Sequence, residues 1–121
     1  MKKITLLTLL FIAFTGFTSI AQNNVYVSAT GAGSMDGTSQ SDAFGNFGVA
    51  MSNITSEGDK LIIIGAITPD GANLTSKNFA FTIEGLDDSS ALDGNGGTGR
   101  LFTINGATSA DVTFKNLTFS G

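Results

Sequence analysis

The chain has 121 residues, carries six basic and ten acidic side chains for a net charge of −4, and contains no histidine, cysteine or tryptophan. Without thiolates or imidazoles it has no disulfide framework and no zinc site, so any bound metal would be a hard ion such as calcium held on oxygen ligands. Beyond its first 21 residues the Lys and Arg residues are scattered singly, which excludes the clustered cationic surface that nucleic-acid phosphates require.

The first 21 residues read as an export signal. Lys2 and Lys3 form a positive start, Ile4 to Phe17 an apolar run short for a membrane span, and Ser19-Ile20-Ala21 a small-residue cleavage site, so cleavage is expected after Ala21. No cysteine follows the apolar run, which excludes a lipid-anchored lipoprotein. Removing the leader leaves four basic residues (Lys60, Lys77, Arg100, Lys115) against ten acidic ones, a net charge of −6. All but one of the sixteen glycines fall in this remaining part, roughly twice the usual ~7%, and turns must therefore be frequent.

The mature part opens on Val25-Tyr26-Val27, a strand, and passes into a long loop from Thr30 to Gln40. Glycines 31, 33 and 37 lie off the spacing of a dinucleotide-binding turn. Residues 41–55 hold the chain's one helical stripe: Phe44, Phe47, Met51 and Ile54 share a face, Ser41 or Asp42 is available as N-cap, and Gly45 and Gly48 weaken the helix by about 1 kcal/mol each. Packing against a core is a commoner reason for such a stripe than ligand binding.

Ser56 to Asp59 breaks the helix and leads into Lys60-Leu61-Ile62-Ile63-Ile64, an apolar run that predicts a strand covered on both faces, with the preceding helix as the nearest cover. Thr68-Pro69-Asp70-Gly71 is a turn. From Phe79 to Gly121 short alternating strands follow one another. Phe79, Phe81 and Ile83 point one way, Phe102 and Ile104 repeat the pattern, and so do Val112 and Phe114, whereas Leu117 and Phe119 are out of phase and demand a bend at Lys115-Asn116.

Phe81 and Val112 are 31 residues apart in similar strands, FTIEG and VTFKN. Parallel stacking of successive turns would place Phe81 or Ile83 upon Val112 or Phe114 in an internal column. The expected class is therefore all-β, a parallel solenoid with a short N-terminal capping helix, and its last apolar layer would be left open to self-association.

Three segments carry a family likeness: VYVSATGAGSMDGTSQSDAFGNFGVAM as opening strand, Gly-rich loop and capping helix; SEGDKLIIIGAI as the Gly-Asp step into a first coil; and LDGNGGTGRLFTINGATSADVTFKNLTFSG as a repeat ending at an asparagine corner, Asn116. In these the chain resembles exported right-handed parallel β-helix proteins of the pectate-lyase-like superfamily. The resemblance implies residues 22–121 to be the cap and first coils of a longer domain, on a secreted or cell-surface protein. It implies a structural or adhesive role with glycans or cell-surface polysaccharide as partners, or, alternatively, the N-terminal part of a polysaccharide lyase or hydrolase whose catalytic coils lie elsewhere. No position matches the catalytic motifs of those enzymes, and no cofactor is implied.

Asp87, Asp88 and Asp93 form the one local acidic cluster and are the candidate ligands for calcium, although Asp beside Ser and Gly is ordinary turn chemistry. GNGGTGRLF departs from the calcium-binding nonapeptide because Leu101 stands where Asp is needed. Asn53, Asn73 and Asn116 begin glycosylation sequons by composition alone. Arg100 reads as a solvated charge, and threonines 82, 103, 113 and 118 are too irregular for an ordered binding face.

Overall fold

Alternation of apolar and polar residues decides which side of each strand is buried, and here it does so in strands that all run parallel to their neighbours. The structure, a computed structural model, describes residues 21–69, 72–74, 77–95, 100–103 and 111–121. In chain order it holds β1 (Asn24–Ser28), a 3-10 turn (Gln40–Asp42), α1 (Phe47–Ser52), β2 (Lys60–Ile64), β3 (Ala66–Ile67), β4 (Ala72–Asn73), β5 (Phe81–Gly85), β6 (Ala91–Asp93), β7 (Phe102–Thr103), β8 (Val112–Lys115) and β9 (Thr118–Ser120). The expected leader up to residue 20, the end of the Pro69 turn, residues 96–99 and Ile104 lie outside the described residues.

Three parallel sheets result, in the orders β1-β2-β5-β8, β3-β6-β9 and β4-β7. From β2 onward the described strands fall to the first, second and third sheet in rotation. In the first sheet Val25 pairs with Leu61, Leu61 with Ile83, and Ile83 with Phe114, while Phe81 pairs with Val112. The register expected between Phe81 and Val112 is thus the observed one. A second apolar row joins Ile67, Leu92 and Phe119, and a third joins Ala72 to Phe102. Val25, Val27, Leu61, Ile63, Ile67, Leu74, Phe81, Ile83 and Leu92 form one buried cluster between the sheets. Each of the larger side chains contributes about 1.5–3 kcal/mol by leaving water.

The corners follow from backbone preferences. Gly65 turns the chain from β2 into β3 with φ +67°, and Asn116 does so between β8 and β9 with φ +48°. That corner resolves the phase break, since it lets Leu117 pack against the core after Phe114 has done so. Its Nδ2 donates to the Gly85 carbonyl oxygen at 3.2 Å. Gly85 lies so close beneath that a Cβ there would overlap the Asn116 carbonyl oxygen.

The helix is shorter than its sequence pattern. It spans Phe47–Ser52 rather than 41–55, and its N-cap is Asn46, whose side chain accepts from Val49 N at 3.0 Å, in place of Ser41 or Asp42. The residues before it have another task. Phe44 is extended and bridges Val27 in parallel, with Phe44 N donating to the Tyr26 carbonyl, Ser28 N to the Phe44 carbonyl and Tyr26 N to the Gly37 carbonyl. These bonds satisfy the outer edge of β1, and tertiary pairing overrides helical spacing at Phe44. Phe47, Met51 and Ile54 are buried as the stripe required.

The double burial of β2 also has a different cause from the one expected. Phe47, Ala50 and Met51 of α1 join the inner cluster, to which Ile62 does not belong. Ile62 lies on the outward face, only 8% exposed, between Tyr26 of β1 and Glu84 of β5 in register. Its cover comes from neighbouring strands.

Candidate functional site

The acidic candidates are not brought together. Asp87 and Asp88 occupy the turn between β5 and β6, and Asp93 ends β6 on its far side. Asp87 accepts from Ser89 N at 2.9 Å and Ser89 Oγ at 2.6 Å, and these bonds, the hydroxyl one foremost, hold its carboxyl below the usual range. Asp93 accepts from Asn95 N at 3.0 Å. Each is engaged in its own turn, and among the described residues no group of three or more acidic side chains could hold a metal ion.

Asp36, which sequence reasoning passed over, and Asp42, which it offered only as a helix cap, organise the loop before the helix. Asp42 accepts from Ser34 N at 2.9 Å, Ser34 Oγ at 3.0 Å and Ser39 Oγ at 2.9 Å. Asp36 accepts from Thr38 N at 2.9 Å, Thr38 Oγ1 at 2.6 Å and Ser34 Oγ at 2.9 Å. Hydrogen bonds lower both carboxyls, from the Thr38 side chain foremost at Asp36 and from the Ser34 backbone foremost at Asp42. The signal was in the spacing of Ser and Thr around each Asp. Together they fold the strap that seals β1.

Asp59, fully buried, is a third structural carboxylate. It accepts from Asn23 N at 3.0 Å and from Thr55 N and Ser56 N at 2.9 Å each, tying the start of β1 to the end of the helical segment. Buried backbone donors are thereby satisfied by one side chain. Ser90 does similar work at the β5–β6 corner, donating its hydroxyl to the Ile63 carbonyl at 2.8 Å.

On the outward face of the first sheet, Lys60 Nζ lies 3.0 Å from Glu84 Oε2, and Lys115 follows Glu84 in register. Among the described residues Arg100 reaches Thr103 Oγ1, at 3.4 Å. A cleft of about 250 Å³ lies between Ser28, Asn46, Phe47 and Thr68, and a shallow groove of about 420 Å³ lies between Met35, Phe44 and Val49. Neither lining includes a charged side chain. Of the sequon asparagines, Asn53 is spent on the helix end, donating to the Val49 carbonyl, and Asn116 on its corner.

The two borders of the four-stranded sheet differ. At β1 the strap of residues 37–44 completes the hydrogen bonding, whereas at β8 no described residue pairs with the outer backbone groups. Beside β8, Phe102, Phe114 and Phe119 form an aromatic group: Phe102 and Phe114 stack at 5.3 Å, Phe119 meets Phe114 edge-on at 5.5 Å, and Phe119 is 50% exposed. Among the described residues no helix is long and apolar enough to cross a membrane. Compared with known families, with curated proteins and with solved structures, the chain gives no match.

Proposed function

We propose that the chain is a non-catalytic structural or adhesive module: the N-terminal cap and first coils of a right-handed parallel β-helix, exported through a leader ending at Ala21. The observation that carries this reading is the rotation of the strands through three sheets with every pairing parallel. A chain that returns in parallel to each sheet after one circuit winds as a solenoid, and parallel crossovers are right-handed in about 98% of cases. The stacked apolar rows are what such winding needs, since no single turn can bury its own narrow face.

A structural or adhesive role is favoured over catalysis by where the carboxylates are. Asp36, Asp42, Asp59 and Asp87 are each held by hydroxyls or backbone N–H groups that maintain a turn. Charged groups on the outward sheet face, Lys60, Glu84 and Lys115, suit contact with a hydrated polysaccharide.

Expression of the full chain in a Gram-negative host tests the reading. The exported product should begin at Gln22 and be slowed by a cell-surface polysaccharide in affinity electrophoresis, without releasing reducing ends or unsaturated sugars. Retention in the cytoplasm with an intact leader would sink the export proposal. Release of cleaved sugar would replace the structural role by the lyase or hydrolase alternative.

A further inference from the structure

We infer that Met35 is a sulfoxidation site, and that one oxygen added there by a peroxide loosens the strap that seals β1. The backbone singles this residue out. Three described residues other than glycine have positive φ; two are asparagines, whose short polar side chains tolerate it, and the third is Met35 at φ +55°. A bulky residue keeps that conformation only where its surroundings impose it.

Here the surroundings are the strap itself. Met35 N donates to the Ala32 carbonyl at 3.0 Å, closing a tight turn, and Ala32 N donates to the Ala43 carbonyl at 2.9 Å, so the turn is tied to the strap one residue before Phe44. The side chain lies back over Gly31: Sδ and Cε sit 3.0 and 3.1 Å from where a Cβ on Gly31 would stand, and Gly45 N is 3.1 Å from the same point. The thioether thus rests where turn and strap meet, and with Phe44 and Val49 it lines the shallow groove. Phe44 in turn bridges Val27 and closes the outer edge of β1. The site stands at the β1 border, so it is the same however far the chain winds beyond β9.

Accessibility selects this sulfur. Met35 is 51% exposed, whereas Met51, inside the core cluster, is 5% exposed, and susceptibility to oxidants follows exposure. A sulfur lone pair attacks one oxygen of hydrogen peroxide, the O–O bond breaks as the S–O bond forms, and the proton on the transferred oxygen passes to the departing hydroxide. The thioether is oxidised to the sulfoxide and the peroxide is reduced to water. The product carries a polar S–O bond and an extra heavy atom at a point already in close contact with Gly31, so the side chain is drawn toward water and its apolar hold on the strap is lost. Methionine sulfoxide reductases reverse the step, which makes it a switch.

The test treats the folded chain with hydrogen peroxide and locates the added oxygen by peptide mapping, which distinguishes Met35 from Met51 and Met1. Met35 should oxidise about tenfold faster than Met51, or more. Native-state hydrogen exchange should then be about tenfold faster at the amides of Tyr26, Ser28 and Phe44 and unchanged at those of Ile63 and Ile83, and methionine sulfoxide reductase should restore the original rates. Met35→Leu, similar in volume and inert to peroxide, should show no such response. Should that variant fail to fold, reversal by the reductase serves as the control in its place. Equal oxidation of Met35 and Met51 in the folded chain overturns the inference. So does oxidised Met35 with unaltered exchange at the three amides, which would be a surface lesion without structural effect, and so does a response that persists in Met35→Leu.

Discussion

Gly85 is the residue at which the packing leaves least room. The Asn116 corner and Ser90 crowd the space a side chain would fill, although the backbone of Gly85 has no positive φ. Gly85→Ala should therefore destabilise by about 3 kcal/mol through overpacking, read as a lower midpoint in urea denaturation. The loop carboxylates behave differently because they are exposed. Asp36 and Asp42 have lowered pKa values in the folded chain, so their contribution is present above the ordinary carboxylate range and fades as pH falls through about 4 and below. No side chain between residues 30 and 44 other than these two is ionisable. Fluorescence of Tyr26, the single tyrosine, whose N–H is bonded to the strap at Gly37, should stay constant from pH 5 to 8 and change below pH 4.

At the scale of elements, the short helix depends on its ends. Asn46 supplies its one side-chain N-cap bond, so Asn46→Ala should cost about 1 kcal/mol in a thermal or urea melt, while Ser41→Ala, outside the helix, should leave the helix term unchanged. Ser41 and Asp42 were reasonable caps on spacing alone. What spacing cannot reveal is that β1 has a bare edge, and that Phe44 is drawn out of the helix to cover it. Strands were more legible: the positions of β2, β5 and β8, the inward set of Phe81, Ile83, Val112 and Phe114, and the bend at Asn116 all follow from alternation and turn chemistry. The Asp87, Asp88 and Asp93 cluster was proximity in sequence only, because a strand carries Asp93 away from the other two. The role of Asp59 was hidden because its partners are backbone N–H groups, which every residue type but proline presents alike.

Across the whole molecule burial is graded. Residues of β1, β2 and β5 that point inward are buried, whereas Val112 and Phe114 of β8 are only partly so and all of β9 is exposed. Local opening should follow the same gradient. Native-state hydrogen exchange should give β2 the slowest amides, β5 intermediate ones and β8 and β9 the fastest; uniform protection across the sheet would contradict a nearest-neighbour architecture.

The unequal borders of the sheet also set how the chain would carry a load. Tension applied at Gly121 meets β9 and β8 first, where backbone bonds can rupture one after another as in an opening zip. Tension applied at the start of β1 must also strain Asp59 and the strap of residues 37–44, which share the force among several bonds at once. Such a module would withstand pulling from one side and yield progressively from the other.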